Sequence, residues 1–214
     1  FKMNNRRILY VLMLVTMLSI VNYGYSETIY EIQYSTTQGS GYDCFPSSFI
    51  DEPVSISGYV IGLKSGTGYW VMDPFYTEWG GIYCYDKYHF PSIGDYIEVS
   101  GTVSEYYGIT ELSYISNFNV VSSGTQIDPI VLTTGELGGG CGSMDREKYE
   151  SMLVKVEDVT VTNPDLGYGE FLIDDGTGGV RVDDYLYKYT PTSGEHILAV
   201  TGIYYYSYYN YKIL

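Results

Sequence analysis

Few residue types in this chain could do chemistry, and their spacing narrows the options further. Only two histidines occur, His89 and His196. They have different neighbours, which argues against a His-centred metal site or nuclease constellation. There is no Gly-x-Ser-x-Gly elbow, phosphate-cradling loop or Cys-x-x-Cys pair. Asp174 and Asp175, with Asp183 and Asp184 beyond Gly176-Thr177-Gly178-Gly179, are the best candidates for a cation, because oxygen ligands around a glycine turn suit Ca²⁺. Their spacing is not that of an EF-hand, and Asp and Gly at such a place also serve a hairpin turn. The turn is the preferred reading. No cofactor is expected, a structural Ca²⁺ at these acids being the alternative. The remaining reactive groups are Cys44, Cys84 and Cys141.

What could position such groups is shown by an internal repeat with a period near 100 residues. Gly68 to Asp73 reappears as Gly169 to Asp174, and Gly81 to Cys84 as Gly179 to Val182. Ile93 to Ile97 reappears as Ser193 to Ile197, and Val99 to Thr102 as Val200 to Ile203. The order is kept. Each copy carries the same strand pattern: alternating apolar residues rich in Tyr, Val and Ile, broken by Gly-containing turns. In copy one the strands are 54–61, 68–73, 81–85, 96–103 and 109–121. In copy two they are 152–162, 169–174, 178–182 and 195–204, with a fifth beginning near Tyr208 and its turn at Ser207 to Asn210. Five strands of this size closing on themselves are the OB architecture. The expected fold is all-β: two tandem five-stranded OB-like Greek-key barrels, the second incomplete at its C-terminus. The expected divisions are 27–122, a Gly/Ser/Thr-rich linker over 123–142 that is loosest at Gly138-Gly139-Gly140, and 143–214.

Side chains alternate along a strand, so the repeat also predicts inside and outside. Trp70 and Met72, matched to Phe171 and Ile173, are expected to face the core, as are Ile82 and Cys84, matched to Val180 and Val182. Cys84 then reads as a small buried hydrophobe. Cys44 and Cys141, each a little before the first strand of its copy, remain free to pair across the two modules. OB barrels bind ligands on the face of strands 2 and 3, flanked by the 1–2 and 4–5 loops. That places candidate ligand contacts at Tyr69, Tyr83 and Tyr85, with Lys64, Tyr106 and Tyr107 on the loops and Arg181 in copy two. The rings could stack bases or sugars. The competing reading is strand-forming surface tyrosine.

Charge limits the partners. The chain carries 11 Lys and Arg against 26 Asp and Glu, a net charge of −15. Residues 1–26 read as a signal peptide. Asn4-Asn5-Arg6-Arg7 is its positive segment, Ile8 to Val21 its apolar run, and Gly24 and Ser26 its small cleavage residues. The apolar run is short for a membrane span. Cleavage would remove Lys2, Arg6, Arg7 and no acid, taking −15 to −18. An exported chain this acidic repels polyanions at long range. Export to the periplasm, cell surface or medium is expected.

Residues 29–33, 54–62, 68–74, 81–83 and the run from Val99-Ser100-Gly101-Thr102-Val103 to Thr110-Glu111-Leu112 resemble the OB-like module that precedes the catalytic domain of secreted bacterial nucleases. Pro129 to Leu137 and Asp174 to Tyr211 are similar to a companion module. The resemblance implies possible DNA binding and supplies no catalytic residue. It implies a non-catalytic binding or positioning region, partnered by a further domain of the same polypeptide beyond Leu214. Direct single-stranded nucleic-acid binding and glycan or cell-surface binding are the alternatives.

Overall fold

The computed structural model describes residues 26–214. The segment 1–26, read from the sequence as a signal peptide, lies outside the described residues apart from Ser26. The fold is all-β, built on two sheets. A single helical turn, α1 (Ile29–Gln33), comes first, opened by a capping box between Thr28 and Glu31 and burying Ile29 and Ile32. The first sheet comprises β1 (Pro53–Lys64), β2 (Gly68–Met72), β3 (Gly81–Tyr85), β4 (Tyr96–Glu105) and β5 (Thr110–Ser122). It closes as a barrel in the order β1-β2-β3-β5-β4. β3 and β5 run parallel, with Cys84 opposite Leu112. The other neighbours are antiparallel.

The second sheet contains β7 (Leu153–Gly167), β8 (Glu170–Asp174), β9 (Val180–Asp183), β10 (His196–Ser207) and β11 (Asn210–Ile213). Its order is β7-β8-β9-β11-β10, β10 pairs back onto β7, and β9 and β11 are parallel. β6 (Ile130–Val131) adds to the outer edge of β7.

The segment expected as a loose linker is ordered. It holds β6 and α2 (Thr134–Leu137), and α3 (Met144–Glu147) follows it. Asp175 clamps α2 to the second sheet, accepting from Thr134 N at 3.0 Å and Thr134 Oγ1 at 2.8 Å. Gly138 lies so close to Gly179 that a Cβ would meet its carbonyl. The glycines here serve close packing, which composition alone reads as looseness.

The predicted inside and outside hold for β3 and fail for β2. Tyr69 is opposite Cys84 and Val71 opposite Ile82, and these four line the interior of the first barrel. Trp70 and Met72 point the other way and join Tyr83 in the cluster that continues into the second sheet. Phe171 and Ile173, by contrast, do face the interior of their own sheet, opposite Val182 and Val180. Trp70 and Phe171 are therefore not equivalent. The register equates Tyr69 with Phe171. A one-residue slip turns every side chain of a strand to its other face.

The outward face of β2–β3 is thus an interface. Trp70 is fully buried, its ring 5.0 Å from Tyr83 and 6.2 Å from Tyr205 of β10. Backbones meet there as well: Trp79 N donates to Lys148 O at 2.5 Å, and a Cβ on Gly81 would lie 2.7 Å from Met152 N. Cys44 and Cys141 form a disulfide, Cα to Cα 5.4 Å, tying the segment before β1 to the segment before α3. Cys84 is free and buried.

Candidate functional site

Docking of the second sheet covers much of the β2–β3 face, so the open surface of the first barrel lies on the β3–β5–β4 side. Two connections shape it. After β3, the buried Asp86 carboxylate organises the loop. It accepts from Tyr88 N at 2.9 Å, His89 N at 3.2 Å and Tyr69 OH at 3.1 Å, with His89 Nδ1 at 2.8 Å. Between β4 and β5 stands a two-residue hairpin, Tyr107-Gly108, with φ of +53° and +85°. Positive φ at both central positions gives the primed turn that matches strand twist.

Between these connections lies a groove of about 700 Å³. Tyr85, Tyr88, Tyr106 and Tyr114 form its walls, and Ser104, Glu111 and Ser113 its floor. Ser104 Oγ lies 3.0 Å from Ser113 Oγ and 3.4 Å from Glu111 Oε1. Burial pushes the Glu111 carboxyl up to about 7, against the opposing pull of Ser104 and Lys64. Tyr114 sits at φ +49° within β5, beside a register irregularity. That left-handed residue turns its ring out to 84% exposure.

The groove runs into a seam cavity of about 360 Å³ lined by Lys64, Thr67, Tyr83, Tyr85, Tyr106, Glu111 and Tyr205. Lys64 Nζ lies 5.4 Å from the Tyr83 and Tyr185 ring centres and 5.6 Å from that of Tyr205, a cation held among ring faces. Burial lowers its pKa, and Glu111 partly offsets that.

Glu105 also borders the groove, but its carboxylate is turned away. Neighbours along a strand face opposite sides. Ser104 pairs with Glu111, and Glu105 pairs with Thr110. Glu105 Oε1 accepts from Ser47 N at 2.9 Å and from Thr110 Oγ1, and burial pushes it up to about 6. The floor therefore presents one carboxyl group. Glycoside hydrolysis by the usual route needs two, facing each other across the bond to be cut.

The residues singled out from sequence scatter across this geometry. Tyr85, Tyr106 and Tyr107 are exposed, the first two as groove walls. Lys64 and Tyr83 are in the seam. Tyr69 is inside the barrel at 1% exposure, packed in its core rather than on an open face. Arg181 is on the second sheet, bonded to Glu170 at 2.7 Å. The four acids do not converge. Asp174 and Asp175 are at one end of the β8–β9 hairpin and Asp183 and Asp184 at the other, about 14 Å apart along the strand. Asp174 Oδ1 accepts from Gly176 N and Gly178 N, while Asp183 is an ion partner of Lys212 and Asp184 of Lys188. Among the described residues no three His, Cys, Asp or Glu side chains are grouped to hold a metal ion.

Sequence reasoning missed Tyr88, Tyr114, Ser104, Glu111 and Ser113. The serines and Glu111 had a signal. They share one face of the β4–β5 hairpin, two residues apart on β5, which alternation shows once the turn is placed. Tyr114 had none, because a bulge leaves no mark in composition. No family model, curated protein or solved structure matches the chain.

Proposed function

We propose that this chain is the non-catalytic binding and positioning region of an exported protein, built from two OB-type barrels in tandem. The shared strand order, with its parallel β3–β5 and β9–β11 pairs, supports the OB reading of both halves. The tightly packed seam and the disulfide support a single rigid body, suited to holding a ligand in fixed relation to a further domain. An extracellular nuclease domain is the companion that the resemblance suggests.

The observation that carries this reading is the tyrosine-walled groove with a single carboxyl on its floor. It offers ring faces and hydrogen-bonding groups suited to holding a ligand in place. The test is to incubate the purified chain with single-stranded DNA, RNA and neutral glycans, with Mg²⁺ or Ca²⁺, and follow both retention and products. Retention of one ligand class without turnover, weakened by Tyr85→Ala, is expected. Cleavage of any of them would overturn the reading.

A further inference from the structure

From the groove's chemistry we infer its ligand class: an uncharged oligosaccharide. This rests on the binding-region reading above. Three observations point the same way. The first is ring exposure. Tyr88 is 86% and Tyr114 84% exposed, and Tyr114 holds a backbone conformation that a bulky residue seldom adopts. The ring faces carry negative charge density, which attracts the slightly positive C–H groups on the face of a pyranose.

The second is the floor. Ser104, Ser113 and Glu111 form a short chain of hydroxyl and carboxyl groups, and hydroxyls both donate and accept. The Glu111 carboxyl, pushed up by burial, accepts when ionised and donates when protonated. Such a floor matches sugar hydroxyls, which also do both. Phosphate oxygens only accept, and a floor built to bind them would consist of donors.

The third is charge. The cations bordering the groove and its seam are Lys87 and Lys64. Lys87 Nζ lies 5.1 Å from the Tyr85 ring centre and Lys64 is enclosed by three rings. Glu111 is shared by both spaces, and the whole chain is at −15. A nucleic-acid strand gains most of its affinity from cations that neutralise phosphates. Here both cations lie against ring faces and the chain is strongly acidic, so stacking on the same rings favours a ligand without charge.

The experiment is a screen of the full chain on an array of neutral glucan, xylan, mannan and chitin oligomers, followed by calorimetry on the best binder. The oligonucleotide dT12 at 50 mM salt serves as the polyanion probe. At least one neutral oligomer should bind. Its affinity should fall tenfold or more in Tyr88→Ala and in Tyr114→Ala, whose exposed rings leave the fold intact, and should change less than twofold between 50 and 500 mM salt. No binder on the array, or binding indifferent to both tyrosines, overturns the assignment. Binding of dT12 that is lost in the tyrosine variants and weakens steeply with salt overturns it while leaving a binding region standing. A bound oligomer that is cleaved would instead keep the sugar and remove the non-catalytic reading.

Discussion

Adding one methyl group at Gly81 should loosen the seam between the two sheets. Gly81 begins β3 with no left-handed strain, so the effect of Gly81→Ala is steric. The new Cβ would lie 2.7 Å from Met152 N and closer still to the Ser151 carbonyl, both backbone atoms of the second half. Neither can turn aside as a side chain would. Restoring ordinary contact, at about 3.4 Å, requires the facing surfaces to part by roughly 1 Å, and a gap of that size forfeits a quarter to a half of each dispersion contact it opens. The contacts at stake are those of Trp70, Met72 and Tyr83 with Met152, Ile203 and Tyr205. Overpacking of this kind costs about 1–3 kcal/mol, which lowers Tm by roughly 3–9 °C in a chain of this size. Thermal and urea unfolding followed by tyrosine and tryptophan fluorescence would measure it. A variant within about 0.5 kcal/mol of the parent would refute the backbone-on-backbone seam.

Three further perturbations have definite signs. Reducing the disulfide, or replacing it with Cys44→Ser and Cys141→Ser, should cost about 2–5 kcal/mol because it frees a loop of 97 residues. Unfolding midpoints with and without reductant should therefore separate, and coincident midpoints would count against the bond. Burial pushes Glu147 up to about 8 and drives its neighbour Glu150 well above the ordinary carboxylate range. The folded chain then keeps protons that the unfolded chain releases near pH 4.5, so stability should be greatest on the acid side and fall as pH rises towards 8. Each retained proton contributes about 1.4 kcal/mol per pH unit to that fall. Glu150→Gln should flatten it by one such increment in a urea titration series, and an unchanged slope would contradict the burial. Tyr69→Phe removes the hydrogen bond to Asp86 inside the barrel and should cost about 1–2 kcal/mol. The exposed Tyr107→Phe should cost nothing measurable.

Most of the strand pattern could be read from the sequence because alternation and turn chemistry agree at each boundary. Ser207 to Asn210 closes the β10–β11 hairpin where its pattern places it. The slip at β2 has a local cause. Gly68 and Gly169 look like the same anchor in both copies, yet Gly68 is already paired within β2, opposite Tyr85, whereas Gly169 is a turn residue between Gly167 and Glu170. Aligning them displaced Trp70 by one position and hid the interface. The same slip puts Tyr69 on the outer face in the sequence reading, whereas it lies in the barrel core. The groove itself depends on which face the second sheet covers, and that contact lies between segments some 130 residues apart, beyond the reach of any local pattern. Gly81 and Gly138 show the same limit, since a glycine that allows close packing has the same letter as one that loosens a linker.

The rigid pairing of the two halves rests on Trp70 facing outward from its own barrel onto Tyr205. A double-mutant cycle with Trp70→Ala and Tyr205→Ala measures that contact directly. A coupling of about 0.5–1.5 kcal/mol is predicted for an aromatic pair in contact. Strict additivity, with Trp70→Ala still costing the several kcal/mol of a core tryptophan, would place the ring inside the first barrel and contradict the account.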